Sequence, residues 1–121
     1  MLVGILLSLS LTGAIIQVES GGNDNAVGDN GRALGSMQIW QCVWDDVKSS
    51  PTLQDYTYQD VKKRKIALIV FRLYMARYAT KKRLGRTPTF QDKARIWNGG
   101  PNGYKKQATV KYWNKVKELM K

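Results

Sequence analysis

A mainly α fold with a small β-hairpin lobe, an α+β arrangement, is predicted by three features of the 121-residue sequence. Residues 2–19 form an apolar run without strand-like alternation that stops at Gly21-Gly22. Ile66, Ile69, Val70, Leu73 and Tyr74 recur at helical spacing, with Ala67, Phe71, Met75 and Tyr78 widening the stripe. Between them, Asn23 to Gly35 is rich in Gly, Asn and Asp, and its Asp29-Asn30-Gly31 is a hairpin turn signal flanked by short strand candidates. The length predicts a single domain over 1–121 built on one core.

The first element is read as a helix over 2–19 that carries Glu19 at its C-terminal end. Leu2 to Leu11 also resembles the apolar part of a secretion signal, with Thr12-Gly13-Ala14 as a passable cleavage site, but no Lys or Arg precedes it. Cleavage after Ala14 would remove most of that helix, so the structural reading is preferred. Ser8, Ser10, Thr12 and Gly13 interrupt the run too often for a membrane span, and no stable membrane insertion is expected. Met37 to Val47 reads as a short aromatic helix, closed off by a loop at Pro51. Thr57-Tyr58-Gln59-Asp60 has capping-box spacing and opens a long helix running to about Leu84, where Gly85 ends it. Thr89, with Asp92 three residues on, caps a helix over Phe90 to Trp97. Asn98 to Gly103 is a turn-dense loop, and Thr109 to Leu119 is a last amphipathic helix.

Twenty Lys and Arg against nine Asp and Glu leave a net charge of +11, so the surface attracts polyanions. Nucleic acid, anionic membrane and anionic cell-wall polymers are the candidate partners. The basic runs at 62–65, 81–86 and 105–121 also read as solvated helix faces. No zinc-finger, RNP or basic-zipper pattern is present, which argues against specific nucleic-acid recognition. Cys42 is the only cysteine, so no internal disulfide forms; between Trp40 and Trp44 it reads as a buried small hydrophobe. With no His in the chain, neither an activated thiolate nor a zinc site is expected, and no cofactor is called for. A monomer is expected.

Two carboxyls stand out. Glu19 lies at the end of an apolar helix, where burial raises a carboxyl pKa toward the range a general acid needs. Asp29, ten residues on, lies in a polar turn that keeps it ionised. Two carboxyls in opposite environments suit the acid and nucleophile of retaining glycoside hydrolysis. Each also has a plainer reading, Glu19 as a satisfied helix-end carboxylate and Asp29 as a turn initiator, and Asp24 is a third carboxylate that spacing alone does not exclude. Trp40, Trp44, Trp97 and Trp113 supply rings for sugar stacking, with half or more assigned to the core.

Ile16-Gln17-Val18-Glu19-Ser20-Gly21-Gly22, Gly28-Asp29-Asn30-Gly31 and Gly35-Ser36-Met37-Gln38-Ile39 together resemble the catalytic segment of invertebrate-type lysozymes. Tyr74-Met75-Ala76-Arg77-Tyr78-Ala79, Ala94 to Gly103 and Tyr112-Trp113-Asn114-Lys115-Val116 extend the resemblance in order over most of the chain. The resemblance implies a lysozyme-like fold, with Glu19 protonating the glycosidic oxygen and Asp29 as nucleophile. The implied substrate is the β-1,4 bond between N-acetylmuramic acid and N-acetylglucosamine in a peptidoglycan strand. It further implies a cleft between the lobes whose substrate-binding residues are Gln38, Trp97, Asn98, Gly99, Gly100, Asn102 and Tyr104. Asn98 to Gly103 would form one wall, in keeping with the polar, Gly-rich character of that loop. The family is usually disulfide-rich, so a chain with one Cys resembles a disulfide-free branch, more plausible in a microbe or virus. Arg32 and Trp40 stand where the family's isopeptidase members carry Ser and Lys, and isopeptidase activity is not expected. Glu19-Ser20, Gly35 to Gln38 and Trp97 to Pro101 also resemble lytic transglycosylases, which work with one Glu. A non-catalytic basic module for cell wall or nucleic acid is the remaining alternative.

Overall fold

The computed structural model describes residues 8–121, and the predicted helix over 2–19 lies partly outside them. Within them, the first helix, α1, covers Leu11–Ser20 only. Ser10 sits in extended geometry, and its hydroxyl accepts the Gly13 N–H at 3.1 Å, so a cap rather than a continuing turn precedes Leu11. The predicted helix is thus corrected at 8–10. The predicted stop holds: the Gly21 N–H donates to the Gln17 carbonyl from a left-handed backbone, and Glu19 stays in the last turn.

The β lobe is a three-stranded antiparallel sheet of very short strands, β1 (Val27–Gly28), β2 (Ala33–Leu34) and β3 (Ile39–Trp40). Val27 pairs with Leu34, and Leu34 with Ile39. The β1–β2 turn is Asp29-Asn30-Gly31, all three at positive φ, a conformation that Asn and Asp tolerate better than other side-chain-bearing residues. β3 and the turn before it replace the first part of the helix predicted from Met37. Gln38 has φ of 53°, which no right-handed helix accommodates, so the helix α2 starts at Gln41 and ends at Val47.

The long helix predicted from Thr57 is three pieces. Thr57 and Asp60 do form a capping box, but it closes a short 3₁₀ segment over Tyr58–Lys62, and Lys63 is extended. The helix α3 then covers Arg64–Tyr78, and Thr80 caps a separate one-turn helix α4, Lys81–Leu84, by accepting the Arg83 N–H. The apolar period is thus interrupted at Lys63, where the backbone is extended with no side-chain cap, and at Ala79, just ahead of the Thr80 cap. The buried face of α3 is Ile66, Ala67, Val70, Phe71, Tyr74 and Met75; Ile69 and Leu73 lie at its margin. The helices α5 (Phe90–Gly99) and α6 (Val110–Leu119) match the predicted pair within two residues. At the start of α5, the Thr89–Asp92 capping box is complete and Arg86 grips the Asp92 carboxylate with both terminal nitrogens.

One core joins α1, the sheet, α2, α3, α5 and α6 through fully buried residues such as Ile15, Ile39, Ile66, Val70, Ile96 and Val116. The mainly α architecture with a small β lobe is therefore the one read from sequence. Cys42 departs from expectation: it is exposed on α2, because the buried positions of that helix are Trp44 and Val47. Among the described residues, no helix is long and apolar enough to cross a membrane.

Candidate active site

Glu19, Asp29, Gln38, Trp40, Val43, Trp97 and Asn98 line one cavity of about 220 Å³ between the helical and β lobes. Each lobe contributes by a separate local device. The last turn of α1 delivers Glu19, and the Ser20 hydroxyl, donating to the Ser36 carbonyl at 2.8 Å, ties that helix end to the loop before β3. The left-handed turn after β1 delivers Asp29. Gln38 braces the hairpin from inside, its Nε2 donating to the carbonyls of Gly35 at 3.0 Å and Ala26 at 3.4 Å. A Cβ at position 28 would collide with the Gln38 side-chain amide, which explains the glycine before Asp29.

Trp97 forms the floor. Its ring packs edge-on against Phe71 at 5.1 Å and Tyr74 at 5.6 Å, and its Nε1 donates to the Met37 carbonyl at 3.2 Å. With all these contacts its indole is locked in place, and Asn98 follows it into the cavity.

The Glu19 carboxyl is pushed up to about 7. Burial is the main cause, a hydrogen bond from the Tyr112 hydroxyl at 3.0 Å opposes it, and the nearby negative charge of Asp29 adds to it. Because Tyr112 donates to Oε2, the proton of the acid form sits on Oε1. A carboxyl with this pKa is about half protonated at neutral pH and can give a proton to an oxygen in the cavity. Asp29 is exposed, in a polar turn. Asp24, the third carboxylate, faces elsewhere and is held by Arg64 at 2.7 Å.

The Asn98 to Gly103 block divides. Asn98 reaches the cavity, whereas Gly99, Gly100, Asn102 and Tyr104 do not line it. Gly100 ends α5, Asn102 accepts a hydrogen bond from Arg83, and Tyr104 packs beneath Lys105. Gly103 lets the returning chain lie against the Arg95 carbonyl, where any Cβ would clash. In this structure the block mainly builds the turn from α5 toward α6.

A family model described as Destabilase matches residues 10–119. The chain belongs to the Destabilase family, the invertebrate-type lysozyme family. A lysozyme of the oyster Ostrea edulis is 34% identical over 90 residues, which span 73% of this chain and 62% of the oyster protein. The fold matches a chain in the crystal structure of Aeromonas hydrophila PliI in complex with Meretrix lusoria lysozyme. The TM-score is 0.74 at 29% identity, covering 97% of this chain and 93% of that one.

Within this Destabilase-family chain, sequence reasoning missed Tyr112 and Val43, and of the four tryptophans it singled out Trp97 for substrate binding but not Trp40. Tyr112 is only 9% exposed and comes from α6, so no local pattern around Glu19 reports it. Its one signal was its place in the Tyr112 to Val116 match, which carried no role.

Proposed function

We propose that this protein is a lysozyme, a peptidoglycan N-acetylmuramidase that hydrolyses the β-1,4 bond between N-acetylmuramic acid and N-acetylglucosamine with retention. One observation carries the reading: a carboxyl raised to about 7 by burial shares a cavity with an exposed aspartate from the opposite lobe. Glu19 gives its Oε1 proton to the glycosidic oxygen as the bond to the anomeric carbon breaks. Asp29 attacks that carbon and forms a glycosyl-enzyme ester. The Glu19 carboxylate then takes a proton from water, whose oxygen displaces Asp29, and both carboxyls return to their starting states. The Trp97 floor and the Trp40 ring supply apolar surface for the sugar faces. The oyster relative's name, lysozyme, supports the broad assignment.

The +11 charge recruits the protein to anionic wall polymers before the cavity engages a sugar. Mass spectrometry of digested peptidoglycan tests the reaction. Muropeptides with reducing N-acetylmuramic acid ends are expected, while 1,6-anhydro ends would replace hydrolysis by the transglycosylase reaction and remove the need for Asp29. Glu19→Gln, which keeps the shape but has no proton to give, should lower turnover by about 10² to 10⁴ with the fold intact.

A further inference from the structure

Trp40 lines both the catalytic cavity and a second, larger hollow of about 510 Å³ whose walls include Gly31, Arg32, Gln41, Asp45 and Tyr58. The two hollows share the Asp29-Asn30-Gly31 turn as well as the indole, since Asp29 lines one and Gly31 the other. The second hollow has the volume of a small-ligand site and is lined mostly by apolar surface.

Its charge is not balanced internally. Arg64, Arg77, Arg83, Arg86 and Arg95 each spend their guanidinium on protein oxygens, and Arg72, which like Arg32 makes no such bond among the described residues, lies on α3 outside this hollow. Among the described residues, the Arg32 guanidinium makes no hydrogen bond or ion pair, while its backbone is fixed at both ends. Its N–H donates to the Asp29 carbonyl at 3.2 Å, and its own carbonyl lies 3.1 Å from the Tyr58 hydroxyl. Asp45, the hollow's one carboxylate, already accepts from Gln41 and Lys48 at 3.0 Å each and makes no ion pair with Arg32. A planar cation presented from an anchored backbone beside two aromatic rings selects an anionic ligand with apolar parts.

We propose that this hollow binds the stem peptide of the glycan, with Arg32 gripping one of its free carboxylates. The inference rests on the muramidase reading. There the sugar whose anomeric carbon meets Asp29 is muramic acid, the sugar that bears the lactyl-linked peptide. The second hollow adjoins the cavity at Trp40 and at the Asp29 to Gly31 turn, so it is the neighbouring hollow open to a branch of that sugar, and Arg32 is on its wall. Stem peptides carry free carboxylates for the guanidinium and alanine methyls for the faces of Trp40 and Tyr58. The hollow then determines specificity: it favours strands with their peptides over stripped strands and takes no part in bond breaking.

The test compares wild type, Arg32→Ala and Arg32→Lys on peptidoglycan strands with peptides attached and on the same strands stripped by an amidase. The free tetrapeptide L-Ala-γ-D-Glu-diaminopimelate-D-Ala is titrated into each protein in parallel. Arg32→Ala should raise KM on peptide-bearing strands about 5- to 10-fold, with kcat held. This is a modest loss for bonds to a charged group, because the side chain is solvent-exposed. KM on stripped strands should not move, and Arg32→Lys should fall between, keeping the charge without the fork. The tetrapeptide should bind wild type and bind Arg32→Ala more weakly by the same factor. Equal KM changes on both strands, or tetrapeptide binding that ignores position 32, would overturn the proposal while leaving the muramidase reading in place. If no strand is cleaved by wild type, the muramidase reading fails and the tetrapeptide titration alone decides the hollow.

Discussion

The Tyr112 hydroxyl donates a 3.0 Å hydrogen bond to Glu19 Oε2, joining two residues 93 positions apart. The bond favours the carboxylate, so it holds the Glu19 pKa lower than burial by itself would. The contact therefore sets where the acid titrates. Tyr112→Phe should raise the Glu19 pKa and move the alkaline limb of the kcat/KM profile up by roughly half to one pH unit, the equivalent of one net hydrogen bond. An unmoved or lowered limb would disconnect Tyr112 from the acid.

The same raised pKa makes a stability prediction. The folded chain binds the Glu19 proton more tightly than the unfolded chain does, about 7 against 4.5. That stabilisation is fully present below about 4.5 and is lost as pH rises through about 7, amounting to about 3 kcal/mol. Glu19→Gln has no such proton. Urea unfolding of both proteins from pH 4 to pH 8 should show wild type losing up to about 3 kcal/mol relative to the variant. A difference that stays flat with pH would mean that Glu19 is not buried as described.

Asp92 works in the opposite direction. The Arg86 guanidinium and the Thr89 cap hold its carboxyl down to about 2 despite burial. Its stabilisation is present above about 3.8 and lost as pH falls through about 2. Asp92→Asn should cost about 2 kcal/mol near pH 6 and much less near pH 2, read from thermal or urea midpoints.

Asp29 and Asp24 together test the proposed nucleophile. Asp29 shares the cavity with Glu19, while Asp24 is tied to Arg64 on the surface. Asp29→Asn should lower hydrolysis on the order of 10²- to 10³-fold, the scale of removing a charge aimed at the transition state. Asp24→Asn should leave turnover unchanged and cost at most about 1 kcal/mol of stability, as an exposed pair does. Equal turnover of Asp29→Asn and wild type would remove Asp29 from the mechanism.

Salt separates recruitment from chemistry. The Debye length falls from about 10 Å at 0.1 M to about 3 Å at 1 M, so the +11 surface loses its reach. Lysis of whole cells should drop with salt far more steeply than cleavage of a short neutral oligosaccharide. Parallel losses on both would argue against recruitment by charge.

The sequence by itself determined what short-range chemistry controls. Gly21 stops α1 so that Glu19 stays in its last turn, Asp29-Asn30-Gly31 takes the left-handed turn, and Thr89 with Asp92 starts α5. Each depends on a few neighbouring residues, and the caps and turns formed where their residue types placed them. Tertiary structure decided the rest. Helical periodicity across 57–84 did not report its division into a 3₁₀ segment and two helices, with an extended Lys63 at one break and Ala79 ahead of the Thr80 cap at the other. Gln38 took a positive φ and turned the expected helix start into β3, where its amide braces the hairpin. Most of all, the sequence placed Glu19 at the end of an apolar helix but could not supply its environment. The Tyr112 hydroxyl, the Trp97 floor and the facing Asp29 come from three other segments, and only folding removes the water that would otherwise keep that carboxyl an ordinary acid.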